Sequence, residues 1–195
     1  MIKTILFFSK FTLSLVATIP KLIEVKNMEK NHPQGEILKK SNKVARDWAR
    51  GRLKDAGARL HITGENNIPK DRAVLFVSNH QSNVDVAIFL AAIEKDKGYI
   101  AKEELIKVPL LSHWMKNINC VFMDRSDLRK SAKAIFEGVN ILKNGYSLVI
   151  FPEGTRSKSS TMLPFKQASL KTATKAKVPI IPVTIDGSYK VLEEN

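Results

Sequence analysis

A regular alternation of strand-like and helix-like segments is the feature of this sequence that most constrains its fold. Beyond residue 57, short apolar runs alternate with longer segments whose apolar residues recur at helical spacing. Strands are predicted at residues 58–64, 73–79, 98–101, 119–124, 147–151 and 178–186. Helices are predicted at residues 84–94, 127–144 and 165–177, with a broken helical stretch at 103–117. Such alternation predicts an α/β fold with a mostly parallel sheet covered by helices.

Length, charge and cysteine content narrow the class of protein. A chain of 195 residues with 44% hydrophobic and 26% charged residues suits one globular domain. The net charge of +13 favours anionic partners such as nucleic acid, acidic lipid or a phosphorylated substrate. The single cysteine, Cys120, excludes an internal disulfide, and the four histidines lack metal-ligand spacing, so no metal site is predicted.

The N-terminal segment is apolar but short. Residues 5–19 read ILFFSKFTLSLVATI, are interrupted by Lys10 and are closed by Pro20. A spanning helix needs about 20 predominantly apolar residues, so we predict an interfacial membrane anchor, with a shallow or tilted span as the alternative. A cleaved signal peptide is disfavoured because no small-residue cleavage site follows.

Basic residues continue behind this anchor. Residues 1–70 contain 14 Lys and Arg against 6 Asp and Glu. Residues 37–56 are predicted to form a helix that packs an apolar stripe on the domain, and its basic residues would add attraction to anionic lipid. We therefore divide the chain into an N-terminal membrane-associating helical segment, residues 1–56, and an α/β domain, residues 57–195.

Polar residues follow the predicted strands, where ligands bind in open parallel sheets. SNHQSNVD follows the second strand, and on one continuous helix its His80 and Asp85 would point roughly 140° apart. His80 is therefore predicted in the turn. If Ser82 caps the helix, the Asp85 carboxylate at the third helical position folds back toward that turn. The alternative is a capping box that only starts the helix.

A second polar segment, FPEGTRS at residues 151–157, begins with a turn that exposes backbone donors. Its Arg156 has the planar fork that pairs with phosphate. Because Lys102 and Arg125 also follow predicted strands, three cations are predicted to converge on one anion. A plain turn with a solvated arginine is the alternative. The Walker-type loop is absent, so nucleotide phosphate is not predicted.

Four ordered blocks resemble the glycerolipid acyltransferases, the family of 1-acyl-glycerol-3-phosphate (lysophosphatidic acid) acyltransferases. NHQSNVD (79–85) is similar to the first family motif, NHxxxxD. The second family region is similar to KEELIKVPLL (102–111) with VFMDRSD (121–127). The third region is similar to FPEGTRS, and the fourth is similar to VPIIPV (178–183). The apolar N-terminus resembles the bacterial-type members.

The resemblance implies transfer of a fatty acyl group from a coenzyme A or acyl carrier protein thioester to the hydroxyl of lysophosphatidic acid. His80 would be the general base, and Asp85 would orient the imidazole and stabilise its protonated form. No cofactor is implied beyond the acyl-thioester co-substrate. Attack would be direct, which agrees with the missing G-x-S-x-G motif.

By the same resemblance, Arg125, Gly154 and Arg156 match substrate-binding positions, and Lys102 is a candidate phosphate contact. Glu153 and Thr155 belong to the third motif, and Glu153 would either touch substrate or brace its loop. For Lys102 the alternative is a helix-start lysine beside two glutamates. The implied location is the cytoplasmic face of the cell membrane, peripheral or monotopic, on an anionic surface.

Other functions remain open at this stage. Within the enzyme class, the acceptor could be glycerol-3-phosphate or another lysophospholipid. A basic membrane-binding module explains the charge but not the motifs, and no nucleic-acid partner is expected because no such motif is present. A hydrolase should contain its own nucleophile. Family members usually continue beyond the fourth block. We therefore expect a closing strand and helix to be lacking, which would expose a sheet edge, with a fragment of a longer chain as the alternative.

Overall fold

The computed structural model describes residues 2–124 and 126–193, with the side chains of residues 2–8, 128 and 192 left aside. This part of the chain forms one five-stranded sheet in the order β3-β2-β4-β1-β5. Every neighbouring pair of strands is parallel. The strands are β1 Leu75–Ser78, β2 Lys97–Lys102, β3 Val121–Met123, β4 Ser147–Ile150 and β5 Ile180–Val183. The predicted α/β class with a parallel sheet is confirmed.

Helices cover both faces of this sheet. The longer helices are α1 Ile2–Val16, α2 Ile19–Met28, α3 Gln34–Asp55 and α6 Leu128–Lys143. The shorter ones are α4 Val84–Ala92, α5 Leu111–Asn117, α7 Lys171–Ala176 and α8 Tyr189–Leu192. Single 3₁₀ turns lie at Glu65–Asn67, Glu103–Lys107 and Gln167–Leu170.

The two faces are buried by alternate residues of the central strands. Phe76 and Val149 pack with Phe89 of α4 and with Ala49 and Leu53 of α3. On the other face, strand residues including Leu75, Val77, Leu148 and Ile150 pack against α6 and α7. Because successive strand side chains point to opposite faces, a strand covered on both sides must be apolar throughout, as the predicted strand 73–79 is.

The N-terminal helices dock on the domain through a third apolar cluster. Val25 of α2 packs with Ile37 and Val44 of α3 and with Trp114 of α5. The Trp114 indole N–H donates to Thr18 Oγ1 over 2.8 Å. The predicted packing of the 37–56 helix is confirmed, since α3 also buries Ala49 and Leu53 in the main core. The division at residue 56 stays a prediction.

Three local expectations differ from the structure. Residues 58–64 form no strand, because they pair with neither edge of the sheet and leave Leu60 and Ile62 exposed. Pro20 does not close the apolar segment. It lies in the first turn of α2, where proline is tolerated because its N–H would have no helical acceptor. The single helix expected at residues 165–177 is instead a 3₁₀ turn followed by α7.

Strand β5 forms one edge of the sheet and is only partly covered. Strand β5 pairs only with β1, and its Ile180 is 38% exposed.

Within residues 2–193, position 125 aside, no helix combines the length and apolar character that crossing a bilayer requires.

Candidate active site

The turn between β1 and α4 brings His80 and Asp85 together. The His80 Nδ1 atom lies 2.7 Å from Asp85 Oδ2. Asp85 is fully buried, whereas the imidazole is slightly exposed. The predicted proximity of the two side chains is confirmed, and their catalytic roles stay predictions.

Asp85 also organises the backbone of this turn. Its Oδ2 atom accepts the N–H groups of Gln81 and Ser82 over 2.6 and 2.9 Å. The helix begins at Val84, with Asn83 rather than Ser82 in the capping position. Even so, the bond from the Ser82 N–H to the Asp85 carboxylate is the one that a capping box makes. The same carboxylate therefore starts the helix and holds the imidazole.

The hydrogen bond fixes the tautomer of His80. An ionised carboxylate can only accept, so Nδ1 carries the proton and Nε2 of the neutral ring carries a lone pair. The ring also stacks on Phe151, with centroids 4.1 Å apart and planes 18° from parallel. Phe151 lies directly after β4, so the aromatic surface that supports the imidazole comes from the neighbouring strand. His80 is thus oriented from two sides.

Glu153 braces the site from the adjacent strand end. Its side chain is 4% exposed, and Oε1 accepts the backbone N–H of His80 over 2.7 Å. Its other oxygen, Oε2, accepts the N–H of Leu163 over 3.0 Å. Both carboxylate oxygens are engaged by backbone donors, which is the loop-bracing alternative considered for this residue.

The loop of residues 151–157 is fastened to the His80 turn by backbone contacts. Ser157 donates its N–H to the His80 carbonyl over 2.8 Å, and Lys158 donates to the Gln81 carbonyl over 3.1 Å. Gly154 has a φ of 75°, a left-handed conformation that favours glycine. The exposed Thr155 and the half-buried Arg156 follow it directly. The first and third motifs therefore form one continuous surface.

Two of the three predicted cations, Arg156 and Lys102, each pair with a glutamate. Arg156 Nη1 lies 2.8 Å from Glu193 Oε1. Lys102, at the end of β2, pairs with Glu104 over 2.7 Å, and its side chain is 64% exposed. This pairing corresponds to the helix-start alternative for Lys102. Arg125 lies outside the described residues, so convergence of the three cations stays a prediction.

Sequence reasoning singled out neither Asn79 nor Phe151 nor Glu193 as functional. The buried amide of Asn79 donates to the Ile185 carbonyl and accepts the Ile185 N–H, both over 2.8 Å. It thereby ties the end of β1 to the segment after β5. Asn79 and Phe151 are the first residues of the first and third motifs, and that position was the available signal. Nothing in the sequence pattern pointed to Glu193.

Cys120 contributes no reactive thiol to this surface. It lies directly before β3, is buried in the main core, and its burial raises the thiol pKa to about 12. A thiol that stays protonated at neutral pH is a poor nucleophile.

The sequence of this chain is similar to those of known proteins. The model of a family described as Acyltransferase matches residues 59–186. A Mycoplasma pneumoniae protein, named a probable 1-acyl-sn-glycerol-3-phosphate acyltransferase, is 34% identical over 99% of this chain and 72% of its own length. A Borreliella burgdorferi 1-acyl-sn-glycerol-3-phosphate acyltransferase is 32% identical over 67% of this chain and 52% of its own length.

A solved structure shares the fold. The crystal structure of the 1-acyl-sn-glycerophosphate (LPA) acyltransferase PlsC from Thermotoga maritima superposes with a TM-score of 0.84 and 30% identity. The alignment covers 98% of this chain and 76% of the Thermotoga chain. With the family match and the relatives, it establishes that the chain belongs to the acyltransferase family that includes the 1-acyl-sn-glycerol-3-phosphate acyltransferases.

Proposed function

We propose that this protein transfers a fatty acyl group from a thioester, on coenzyme A or acyl carrier protein, to the free hydroxyl of lysophosphatidic acid. The product is phosphatidic acid. The observation that supports this most directly is the 2.7 Å contact between His80 and a buried carboxylate on the surface shared with Arg156. The names of the aligned relatives supply the choice of acceptor.

In the proposed mechanism, His80 Nε2 removes the proton of the acceptor hydroxyl as that oxygen attacks the thioester carbonyl. Asp85 stabilises the imidazolium that forms, because a negative oxygen already lies at Nδ1. The attack forms the new C–O bond and a tetrahedral intermediate, and the collapse of this intermediate restores the carbonyl and breaks the C–S bond. The imidazolium then returns its proton to the departing thiolate, which leaves as a thiol.

The phosphate of the acceptor is assigned to the basic side of the same surface. Arg156 is the proposed main contact, since it directly precedes Ser157, whose N–H donates to the His80 carbonyl. Arg125 and Lys102 remain proposed contributors, and the 151–157 loop, including Gly154 and Thr155, lines the site. Holding the acceptor by its phosphate fixes the hydroxyl near the base, and such positioning lowers the barrier independently of proton transfer.

The N-terminal helices are the proposed membrane-binding surface. Leu13 and Val16 of α1 and Ile19 and Ile23 of α2 are exposed, and Leu13 is 68% exposed. Lys10 and Lys21 lie on the same helices. An exposed apolar row with basic neighbours suits the headgroup region of an anionic bilayer. Docking there would bring lipid substrates to the domain without their leaving the membrane.

The acceptor is tested by a specificity panel in vesicles. The purified protein is incubated with oleoyl-coenzyme A and one acceptor at a time, namely lysophosphatidic acid, glycerol-3-phosphate or lysophosphatidylcholine. Thiol release and the acylated product are followed together. Faster acylation of lysophosphatidic acid supports the proposal. Faster acylation of glycerol-3-phosphate would make glycerol-3-phosphate the acceptor instead. Equal rates with lysophosphatidylcholine argue against a phosphate-monoester clamp at Arg156.

A further inference from the structure

The carboxylate of Glu193, in the C-terminal segment, forms an ion pair with Arg156 of the third motif. Glu193 Oε1 lies 2.8 Å from Arg156 Nη1 and 3.3 Å from the hydroxyl of Ser82. Ser82 is fully buried within the first motif, and the Glu193 side chain is 11% exposed. Glu193 therefore bridges the first and third motifs by one oxygen atom.

The segment that presents Glu193 is anchored to the same turn at two further points. Asn79 makes its paired hydrogen bonds with Ile185, and the Ser188 hydroxyl donates to Gln81 Oε1 over 3.2 Å. Val191 of α8 packs on the main core beside α4. The segment that carries the Glu193 carboxylate therefore contacts the first motif at several residues, and the contact between Glu193 and Arg156 is part of this larger interface.

The chemistry of this contact is that of a bound substrate anion. A carboxylate on a guanidinium uses the same donors as a phosphate oxygen does. We propose that Glu193 is an internal anion that holds Arg156 in the empty enzyme and that the acceptor phosphate displaces it. This inference rests on the proposed function, because it takes Arg156 as the phosphate contact.

Displacement, rather than sharing, follows from charge. A phosphate monoester brought to Arg156 would meet the Glu193 carboxylate at close range, and like charges at a partly desolvated site repel. The Arg156 side chain is half-buried, and the incoming phosphate replaces one anion by another on the same guanidinium, which offsets the cost of opening the ion pair. The acceptor can therefore replace Glu193 at Arg156, and Glu193 weakens the apparent affinity for every phosphate acceptor.

The test compares Glu193→Gln with wild type and with Glu137→Gln, an exposed glutamate of α6 that serves as the charge control. Glutamine keeps an oxygen for the Ser82 hydroxyl and removes the negative charge. The KM for lysophosphatidic acid should fall roughly two- to fivefold, the range of a partly exposed ion pair. The KM for oleoyl-coenzyme A and the Glu137→Gln kinetics should stay unchanged. In an Arg156→Lys background the gain should shrink.

Other outcomes overturn the inference. A higher KM for lysophosphatidic acid makes Glu193 a residue that aligns Arg156 for substrate. A change confined to the oleoyl-coenzyme A KM assigns Arg156 to the donor phosphates. A lower kcat together with a lower Tm, and no change in KM, would show that Glu193 only stabilises the structure.

A binding arm separates this inference from the proposed function. The affinity of inorganic phosphate for wild type and Glu193→Gln is measured by calorimetry, without acyl donor. Tighter binding by the variant supports displacement even if wild type fails to acylate lysophosphatidic acid, in which case only the proposed function fails. Equal affinities contradict displacement whatever the activity.

Discussion

Asp85 Oδ2 lies 2.7 Å from His80 Nδ1 and also accepts the backbone N–H groups of Gln81 and Ser82. One oxygen therefore fixes both the conformation of the turn and the tautomer of the imidazole. The other oxygen, Oδ1, is buried and has no hydrogen-bond partner among the described residues. The pair is built so that a change at Asp85 alters the chemistry and the local fold together, and the two effects need separate measurements.

His80→Ala should lower kcat for acyl transfer by about 10² to 10⁴, the usual contribution of a general base. The turn should keep its fold, because Asp85 still accepts the Gln81 and Ser82 N–H groups. His61→Ala, in the exposed stretch before β1, is the control and should match wild type. The measurement is thiol release with lysophosphatidic acid and oleoyl-coenzyme A. Full activity in His80→Ala would remove the base from the mechanism.

Asp85→Asn should separate orientation from folding. Its amide oxygen can still accept the Gln81 and Ser82 N–H groups, but its amide cannot stabilise an imidazolium. We expect kcat to fall by about 10² or more, with a smaller loss of stability than in Asp85→Ala. Asp85→Ala should also lower the free energy of unfolding by about 1 to 3 kcal/mol, because two buried donors lose their acceptor. Chemical unfolding and steady-state kinetics on both variants check this, and equal stability losses would contradict it.

Glu153→Gln should destabilise the protein and lower activity, although we assign it no contact with the reacting atoms. Glutamine offers one acceptor oxygen to two partly buried N–H groups, those of His80 and Leu163. The unsatisfied donor should cost about 1 to 3 kcal/mol in the free energy of unfolding. Urea unfolding measures the loss, with the exposed Glu65→Gln as control. An unchanged unfolding free energy, with only the acceptor KM raised, would instead place Glu153 on the substrate.

Lys97 should make stability depend on pH near neutrality. Burial lowers its pKa to about 7, and the nearby Arg46 adds to the shift. The unfolded chain keeps the ordinary lysine pKa, so above about pH 7 it binds a proton that the folded state has released. The free energy of unfolding contributed by Lys97 therefore rises with pH, by at most about 1.4 kcal/mol per unit.

Lys97→Met should flatten this rise. Urea unfolding at about pH 7 and about pH 8 measures the slope, and the cysteine thiol of the unfolded chain, with a pKa of about 8.5, contributes equally to wild type and variant. Lys133→Met, on the exposed face of α6, should keep the wild-type slope. A Lys97→Met slope equal to wild type would show that the buried ammonium does not titrate in this window.

The strands and the motif positions could be predicted because their causes are local. An apolar run such as residues 73–79 has to be covered on both faces, and a parallel sheet gathers the carboxyl ends of its strands at one edge. The turn between His80 and Asp85 followed from helix geometry and capping. Residues 58–64 show the limit, since their alternation is typical of a strand but no sheet edge accepts them.

The partners of the motif residues could not be predicted, because they depend on long-range packing. Glu193 lies 37 positions from Arg156 and 111 from Ser82, and Ile185 lies 106 from Asn79. No periodicity links such positions. Lys102 has a local partner instead. Its sequence position suits a phosphate clamp, but its side chain pairs with Glu104, two residues away.

The bond between the His80 N–H and Glu153 spans 73 positions of the chain. During synthesis, the histidine leaves the ribosome well before the strand that supplies its brace, at roughly 5 to 20 residues per second. A nascent chain that has emerged only as far as β3 has neither Phe151, on which the imidazole stacks, nor Glu153, which accepts the His80 N–H. Translation must therefore pass β4 before this enzyme can acquire its activity.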